Sequence, residues 1–340
     1  MESNFFLNLV AMQKRFVFAL FFGGLLASAA FGQNNPSPQP SRPRVRLPIF
    51  AFDSFQPEAL LAPQGSGWEA QSVSAPAALV KQDTLFLFYA AEDRVRLGGL
   101  NGTARIGLAY RTEGLHFTRL SEPVLTPTLD IETPGGCTNP NVVLADSVFY
   151  MTYSAFDGKT ARLALATSRD LRHWKKHGLI FSDTGATAGG VMLSQKINGR
   201  FVMYYGKEEI RIAYSNDLRH WFPQAEPLLR ARADKFDSER LAVGPAAMII
   251  DSTIVLLYNA EDASGRRALG LARFSLNNPA TVLARWDSPL FAPPSSETRN
   301  EQKFRVSSLV WWRGQYELFY SGPAKHIGRV KGRLLFTEGK

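Results

Sequence analysis

The chain has 340 residues, a net charge of +9 and 45% hydrophobic residues, ample for one large domain or two small ones. Its single cysteine, Cys137, excludes an internal disulfide framework, so stability must come from a packed core. The basic residues are scattered, with short clusters such as RPRVR and GRVKGR and no basic helix or RNA-binding motif. Nucleic acid is therefore not an expected partner, whereas anionic envelopes or polymers suit such a surface.

Residues 1–32 carry the pattern of a secretory signal peptide. Lys14 and Arg15 precede the apolar run FVFALFFGGLLASAAFG, and small residues end it, so cleavage is expected after Gly32. An uncleaved anchor helix is the alternative, although the run is at the short end for spanning a bilayer. No cysteine sits at the cleavage point and no second apolar run of that length follows. The expected location is secreted or periplasmic, without stable membrane insertion. Residues 33–47, rich in proline and polar residues, read as an extended linker, and the folded domain is expected over 48–340.

Within that domain one strand pattern recurs five times: a turn pair, an alternating apolar run, then a tyrosine followed by small or polar residues. The copies are QDTLFLFYAAED, DSVFYMTYSAFDG, NGRFVMYYGKEE, DSTIVLLYNAED and RGQYELFYSGPAK. Tyr89, Tyr153, Tyr205, Tyr258 and Tyr320 each fall seven positions after the first turn residue, at intervals of 64, 52, 53 and 62. Such repeats predict an all-β, five-bladed β-propeller with one sheet per repeat. A pair of β-sandwich domains is the alternative, but it gives no reason for five like units.

A second element, LALATSRDLRHW or IRIAYSNDLRHW, places a turn and a ring after an apolar strand. A structural wedge explains that signature better than chemistry at His173 or His220. The five histidines, in separate copies, have no metal-ligand spacing, and no metal or organic cofactor is implied.

The stretch GGCTNPNVVLADSVFYMTYSA leads into the second repeat strand. Its turn, Thr138-Asn139-Pro140-Asn141, is polar and uncharged, in a place where loops often display functional groups. Cys137 beside it has no obvious base to make it a nucleophile.

With the repeats placed, the motif order resembles glycoside hydrolase family 130, five-bladed propeller mannoside phosphorylases and hydrolases. YAAED is similar to the family's Tyr-Arg-Ala-Glu-Asp, and YMTYSAFDGKTARLALATSRDLRHWKKHGLIF to its second blade. KINGRFVMYYG, FDSERLAVGPAAMI and NPATVLARWDSPLFAP follow in family order. The resemblance implies a Glu-Asp-Pro-Arg turn before blade two, with the aspartate as general acid and the arginine holding substrate or phosphate. Asn139 and Asn141 stand there instead. An amide cannot deliver a proton to a leaving glycosidic oxygen, but it can still bond sugar hydroxyls.

Other departures accompany this one. Ala75-Pro76 replaces Asn-Pro, Ala90 replaces an arginine, Ala188 a lysine and Ala242 a glutamate; Tyr205-Gly206 replaces His-Arg, and Asn259 a histidine. The pattern implies that no cluster of cations remains to hold inorganic phosphate for attack, so phosphorolysis is the least expected activity. The expected function is binding of a β-mannoside or related oligosaccharide or polysaccharide, with catalysis lost or much altered. The alternative is an active glycoside hydrolase using shifted carboxylates. Glu92, Glu132 and Glu239 are its catalytic candidates, among further strand-end acids that include Glu208, Asp237, Glu261 and Asp262. Asn139, Asn141, Asp93, Asp157, Tyr205 and Asn259 are the candidate substrate-binding residues. Trp68, Tyr89, Tyr205 and Tyr320 are candidates to stack on sugar faces, with core packing as the plainer alternative.

Overall fold

The computed structural model describes residues 46–53, 59–182, 188–292, 304–322 and 324–338. The signal sequence expected over 1–32 lies outside the described residues, as does the linker up to residue 45. Strand pairing begins at Arg46, two residues before the boundary expected at 48.

The first turn residue of every repeat has a left-handed backbone: φ is 54° at Gln82, 47° at Asp146, 49° at Asn198, 45° at Asp251 and 48° at Arg313. In four of the five the next residue, Ser147, Gly199, Ser252 or Gly314, also has positive φ. Two such residues in succession make a type I′ turn, whose twist matches the strands that it joins. Each turn thus closes a hairpin, with the repeat tyrosine on its second strand.

After β1 (Arg46–Phe52) the strands fall into five units. The first is β2 (Ser72–Lys81), β3 (Thr84–Glu92), β4 (Ala104–Arg111) and β5 (Thr118–Arg119). The second is β6 (Gly136–Ala145), β7 (Val148–Phe156), β8 (Ala161–Ser168) and β9 (Lys175–Leu179), joined to the first by one parallel bridge, Ala104 to Gly136. The third contains β10 (Gly190–Met192), β11 (Phe201–Tyr205), β13 (Arg211–Ser215) and β14 (Trp221–Pro223), while the short β12 (Lys207–Glu208) crosses to the next sheet. The fourth is β15 (Arg240–Ile250), β16 (Thr253–Glu261), β17 (Arg267–Ser275) and β18 (Val282–Arg285). The last is β19 (Arg305–Trp312), β20 (Gln315–Ser321) and β21 (Ile327–Glu338), and β1 adds itself antiparallel to β21, so the two ends of the fold share one sheet.

The first strands touch in a closed ring: β2 with β6, β6 with β10, β10 with β15, β15 with β19, and β19 with β2. Five apolar clusters fill the spaces between successive sheets. This is a β-propeller. Two sandwiches would have two cores, whereas here each sheet buries both faces, which explains runs as apolar as TIVLLY.

The repeat tyrosines are core residues: Tyr89, Tyr153, Tyr258 and Tyr320 are fully buried and Tyr205 nearly so. In three units the ring lies across a glycine of the third strand. A Cβ on Gly107, Gly270 or Gly328 would stand 2.6, 2.3 or 2.2 Å from Cζ of Tyr89, Tyr258 or Tyr320. The Asp-Leu-Arg-His-Trp segments form wedged turns. Asp170 accepts the backbone N–H groups of Arg172 and His173, and the Trp174 indole donates to the Leu171 carbonyl at 2.9 Å. Asp217 and Trp221 repeat the arrangement.

Candidate functional site

Irregular strand pairing shapes the centre. The register shifts between Ser74 and Ala77 in β2, Thr138 and Asn141 in β6, Val243 and Ala246 in β15, and Val306 and Ser308 in β19. Such bulges bend a strand and re-aim its side chains. At two of them a non-glycine residue before proline takes a left-handed backbone: Ala75 at φ 48° and Asn139 at φ 49°. Asparagine tolerates that conformation better than most residues.

A cavity of about 210 Å³ opens where the first strands converge. Asn139, Asn141 and Asn259 line it, together with Ala75, Ala188, Ala242 and Gly206. Nearly all the positions at which the sequence departs from the family pattern therefore meet in one place. Ala90 and Tyr205 do not: Ala90 is buried in β3, and Tyr205 packs on Phe181 with ring centres 4.7 Å apart. Among the described residues no aspartate or glutamate lines this cavity.

The three asparagines are differently engaged. Asn259 bridges the fourth and fifth sheets, accepting the Val306 N–H at 3.0 Å and donating to the Val306 carbonyl at 2.8 Å. Asn141 accepts the Met192 N–H at 3.2 Å, which ties the second sheet to the third. Among the described residues Asn139 makes two 3.2 Å contacts, from its amide nitrogen to the hydroxyls of Thr138 and Ser154. Its carbonyl oxygen accepts nothing among the described residues.

The acidic candidates lie elsewhere. Glu132 is fully buried and accepts bonds from the Tyr153 hydroxyl at 2.7 Å, Lys176 at 2.5 Å and the Thr128 N–H at 2.8 Å. Burial pushes its carboxyl up, but bonds from Lys176, Thr128 and Tyr153 outweigh it and hold the pKa below the usual range. A general acid needs the opposite shift. Asp93 is lowered in the same way, burial being outweighed by Arg105 at 2.7 Å and by the N–H groups of Thr103 and Val95. Asp157 is lowered by the N–H groups of Thr160 and Lys159 and by Arg162. Glu92 accepts from Ser72 at 2.8 Å. Glu239 is exposed, and its side chain has no partner among the described residues. Cys137 is buried, its thiol pushed up by burial and by Glu132, so it is no nucleophile.

Sequence reasoning missed what the tyrosine hydroxyls do. Those of Tyr89, Tyr153 and Tyr258 donate to Glu69, Glu132 and Asp237, which lie 20, 21 and 21 residues upstream. Each acid is also held by a cation: Arg119 at 2.7 Å, Lys176 at 2.5 Å, and both Arg232 and Arg285 at 3.0 and 2.6 Å. The nearly constant offset between acid and tyrosine was a readable signal. Trp68 stacks on Tyr89 at 6.1 Å between ring centres, and so belongs to this buttress.

The structure also corrects the expectation that no cationic cluster remains. Lys207 and Arg305 line the central cavity, and with Arg240 and Arg267 they line a smaller one of about 130 Å³ beside it. Lys207 comes from a two-residue strand, and Arg305 opens the last sheet. They are remote in sequence, so no local motif announces the cluster.

Comparison with known proteins agrees with this architecture. The family model described as beta-1,4-mannooligosaccharide phosphorylase matches residues 54–307. A 1,2-beta-oligomannan phosphorylase from Thermoanaerobacter sp. (strain X514) is 29% identical over 66% of this chain and 77% of its own. A beta-1,2-mannobiose phosphorylase of the same organism is 26% identical over 82% of this chain and 96% of its own. Among solved structures, a glycosyl hydrolase from Bacteroides ovatus superposes with a TM-score of 0.77 at 28% identity, over 83% of this chain and 94% of that one. Another, described as showing that the GH130 family of mannoside phosphorylases contains glycoside hydrolases that target β-1,2 mannosidic linkages in Candida mannan, has a TM-score of 0.76 at 28% identity and the same coverage. With a family match spanning most of the propeller and structural relatives covering nearly all of it, the chain belongs to glycoside hydrolase family 130.

Proposed function

We propose that this chain is an exported, glycosidase-like propeller that binds a β-mannoside or related oligosaccharide in its central cavity, with the family's catalysis lost or much altered. The observation that carries the reading is the convergence of Asn139, Asn141, Asn259, Ala75, Ala188 and Ala242 on that cavity. Glycoside hydrolysis needs two carboxyls roughly 5 to 9.5 Å apart across the sugar, one of them with a raised pKa. No described carboxylate lines the cavity, and the buried acids are committed to tyrosines and cations. The amides keep donors and acceptors for hydroxyl groups. The names of the relatives support β-linked mannosides as the class, and the apolar run within residues 1–32 supports a periplasmic or secreted location.

A hydrolase with shifted carboxylates is the second reading. It is favoured by Glu239, an exposed acid just before β15, and by the likeness to a family structure whose description names hydrolases. Incubating the mature protein with β-manno-, β-gluco- and xylo-oligosaccharides, with and without phosphate, separates the two. Thermal stabilisation by a β-mannoside without products is the expected result. Products that need no phosphate would favour the hydrolase, and Glu92 and Glu239 variants would then identify its acids.

A further inference from the structure

We propose that the cavity takes a saccharide that carries a carboxylate, with the acid group seated on Arg305 and Lys207 and the ring hydroxyls facing Asn139 and Asn141. The inference rests on the reading above that the cavity binds a glycan, and adds the charge of that glycan.

Arg305 borders both the central cavity and the smaller one beside it. Its guanidinium makes no hydrogen bond or ion pair among the described residues, and neither does the Lys207 ammonium. Among the described residues the one acid lining the smaller cavity, Glu261, is engaged by Arg267 at 3.0 Å. Arg240 stands 3.8 Å from Glu208. The remaining charge in this part of the molecule is therefore positive. Burial, then the neighbouring Arg267, lowers the pKa of Arg305 by more than Glu261, already paired with Arg267, raises it. The backbone beside it is fixed, because Asn259 holds both the N–H and the carbonyl of Val306. A guanidinium held in place offers a planar fork that matches a carboxylate.

The size and the other walls of the cavity argue for a sugar acid over a free ion. A volume of about 210 Å³ exceeds several-fold the roughly 30 Å³ that one water occupies in the liquid. A small anion would satisfy the cations and leave the Asn139 carbonyl oxygen and the Asn141 amide nitrogen, open among the described residues, without a ligand group. A uronate residue satisfies both, its carboxylate on the cationic side and its hydroxyls on the amide side.

The test is calorimetric titration of the mature protein, at fixed ionic strength, with three probes: β-1,4-linked mannuronate oligosaccharides, neutral β-1,4-manno-oligosaccharides of equal length, and inorganic phosphate. The expected result is about tenfold or greater preference for the mannuronates, the scale of a hydrogen bond to a charged group. Arg305→Gln should bring the ratio of the two affinities close to one. Arg305→Lys should restore part of it, and Lys207→Gln should reduce it less than Arg305→Gln does. If Arg305→Gln does not fold, the Arg305→Lys and Lys207→Gln variants still read the same ratio. Equal affinities in the unmodified protein overturn the inference and leave glycan binding standing. Saturation by phosphate, with neutral oligosaccharide binding alongside it, also overturns the inference. Binding of neither saccharide overturns the inference together with the functional reading beneath it.

Discussion

Glu132 and Asn139 lie seven residues apart in the sequence, yet they have opposite surroundings. Glu132 is sealed off from solvent and receives the Tyr153 hydroxyl, the Lys176 ammonium and two backbone N–H groups, from Thr128 and Leu129. Asn139 borders an open cavity and has two long contacts to hydroxyls. The same contrast holds across the molecule. Glu69 and Asp237 repeat the enclosure of Glu132 in the first and fourth units. Around the cavity the side chains are amides, alanines and cations. The enclosed acids hold the ends of the tyrosine strands, while among the described residues no acid lines the central cavity.

The contrast breaks most visibly at Glu132 itself. Glu132→Ala leaves the Lys176 charge and the Tyr153 hydroxyl without their partner in a buried site. Removing one member of such a pair costs about 3 to 5 kcal/mol, so the unfolding midpoint in urea should fall steeply. If the midpoint is unchanged, the enclosed acid is not a structural lock. The stability of the folded protein should also depend on acid at this residue. Its carboxyl lies below its ordinary value of about 4.5 when folded. The stabilisation is therefore complete above that pH and is lost as pH falls through the lower, folded value. Glu132→Gln removes its share of this dependence, and unfolding midpoints measured from pH 6 to pH 3 should have a shallower slope than those of the unmodified protein.

How far this was legible in advance depended on how local each signal is. The blades were readable because each hairpin needs a positive-φ turn, and Asn198-Gly199 or Arg313-Gly314 state that need within two residues. The acid-free side of the cavity was readable because its lining comes from the same bulge in successive first strands, as Ala75-Pro76 and Asn139-Pro140 show. The roles of the acids were not. Asp93 and Asp157 sit at strand ends, but Arg105 and Arg162 claim them, and only the pairing of β4 and β8 with their neighbours brings those arginines close. Tyr205 lies one residue before the cavity-lining Gly206, and alternation along the strand turns it into the core. The cationic flank joins residues from the third, fourth and fifth units, a closeness that only ring closure creates.

The smallest effect is expected where the family's acid would stand. Asn139→Asp introduces one charge at a cavity wall that includes Lys207 and Arg305, and its present contacts are long. Its effect on stability should stay within about 0.5 kcal/mol, as for most substitutions away from packed or paired groups. Adding Asn141→Arg should do more harm, because Asn141 accepts the Met192 N–H that ties the second sheet to the third. Neither change supplies the groups missing at Ala75, Ala188 and Ala242, which line the same cavity. Phosphorolysis requires an acid for the leaving oxygen and cations in line for the incoming phosphate, both held in place before reaction. The double variant should therefore release no sugar phosphate from β-1,2- or β-1,4-manno-oligosaccharides when product is followed by chromatography. Appearance of a phosphate-dependent product would mean that a two-residue change separates this cavity from a working one.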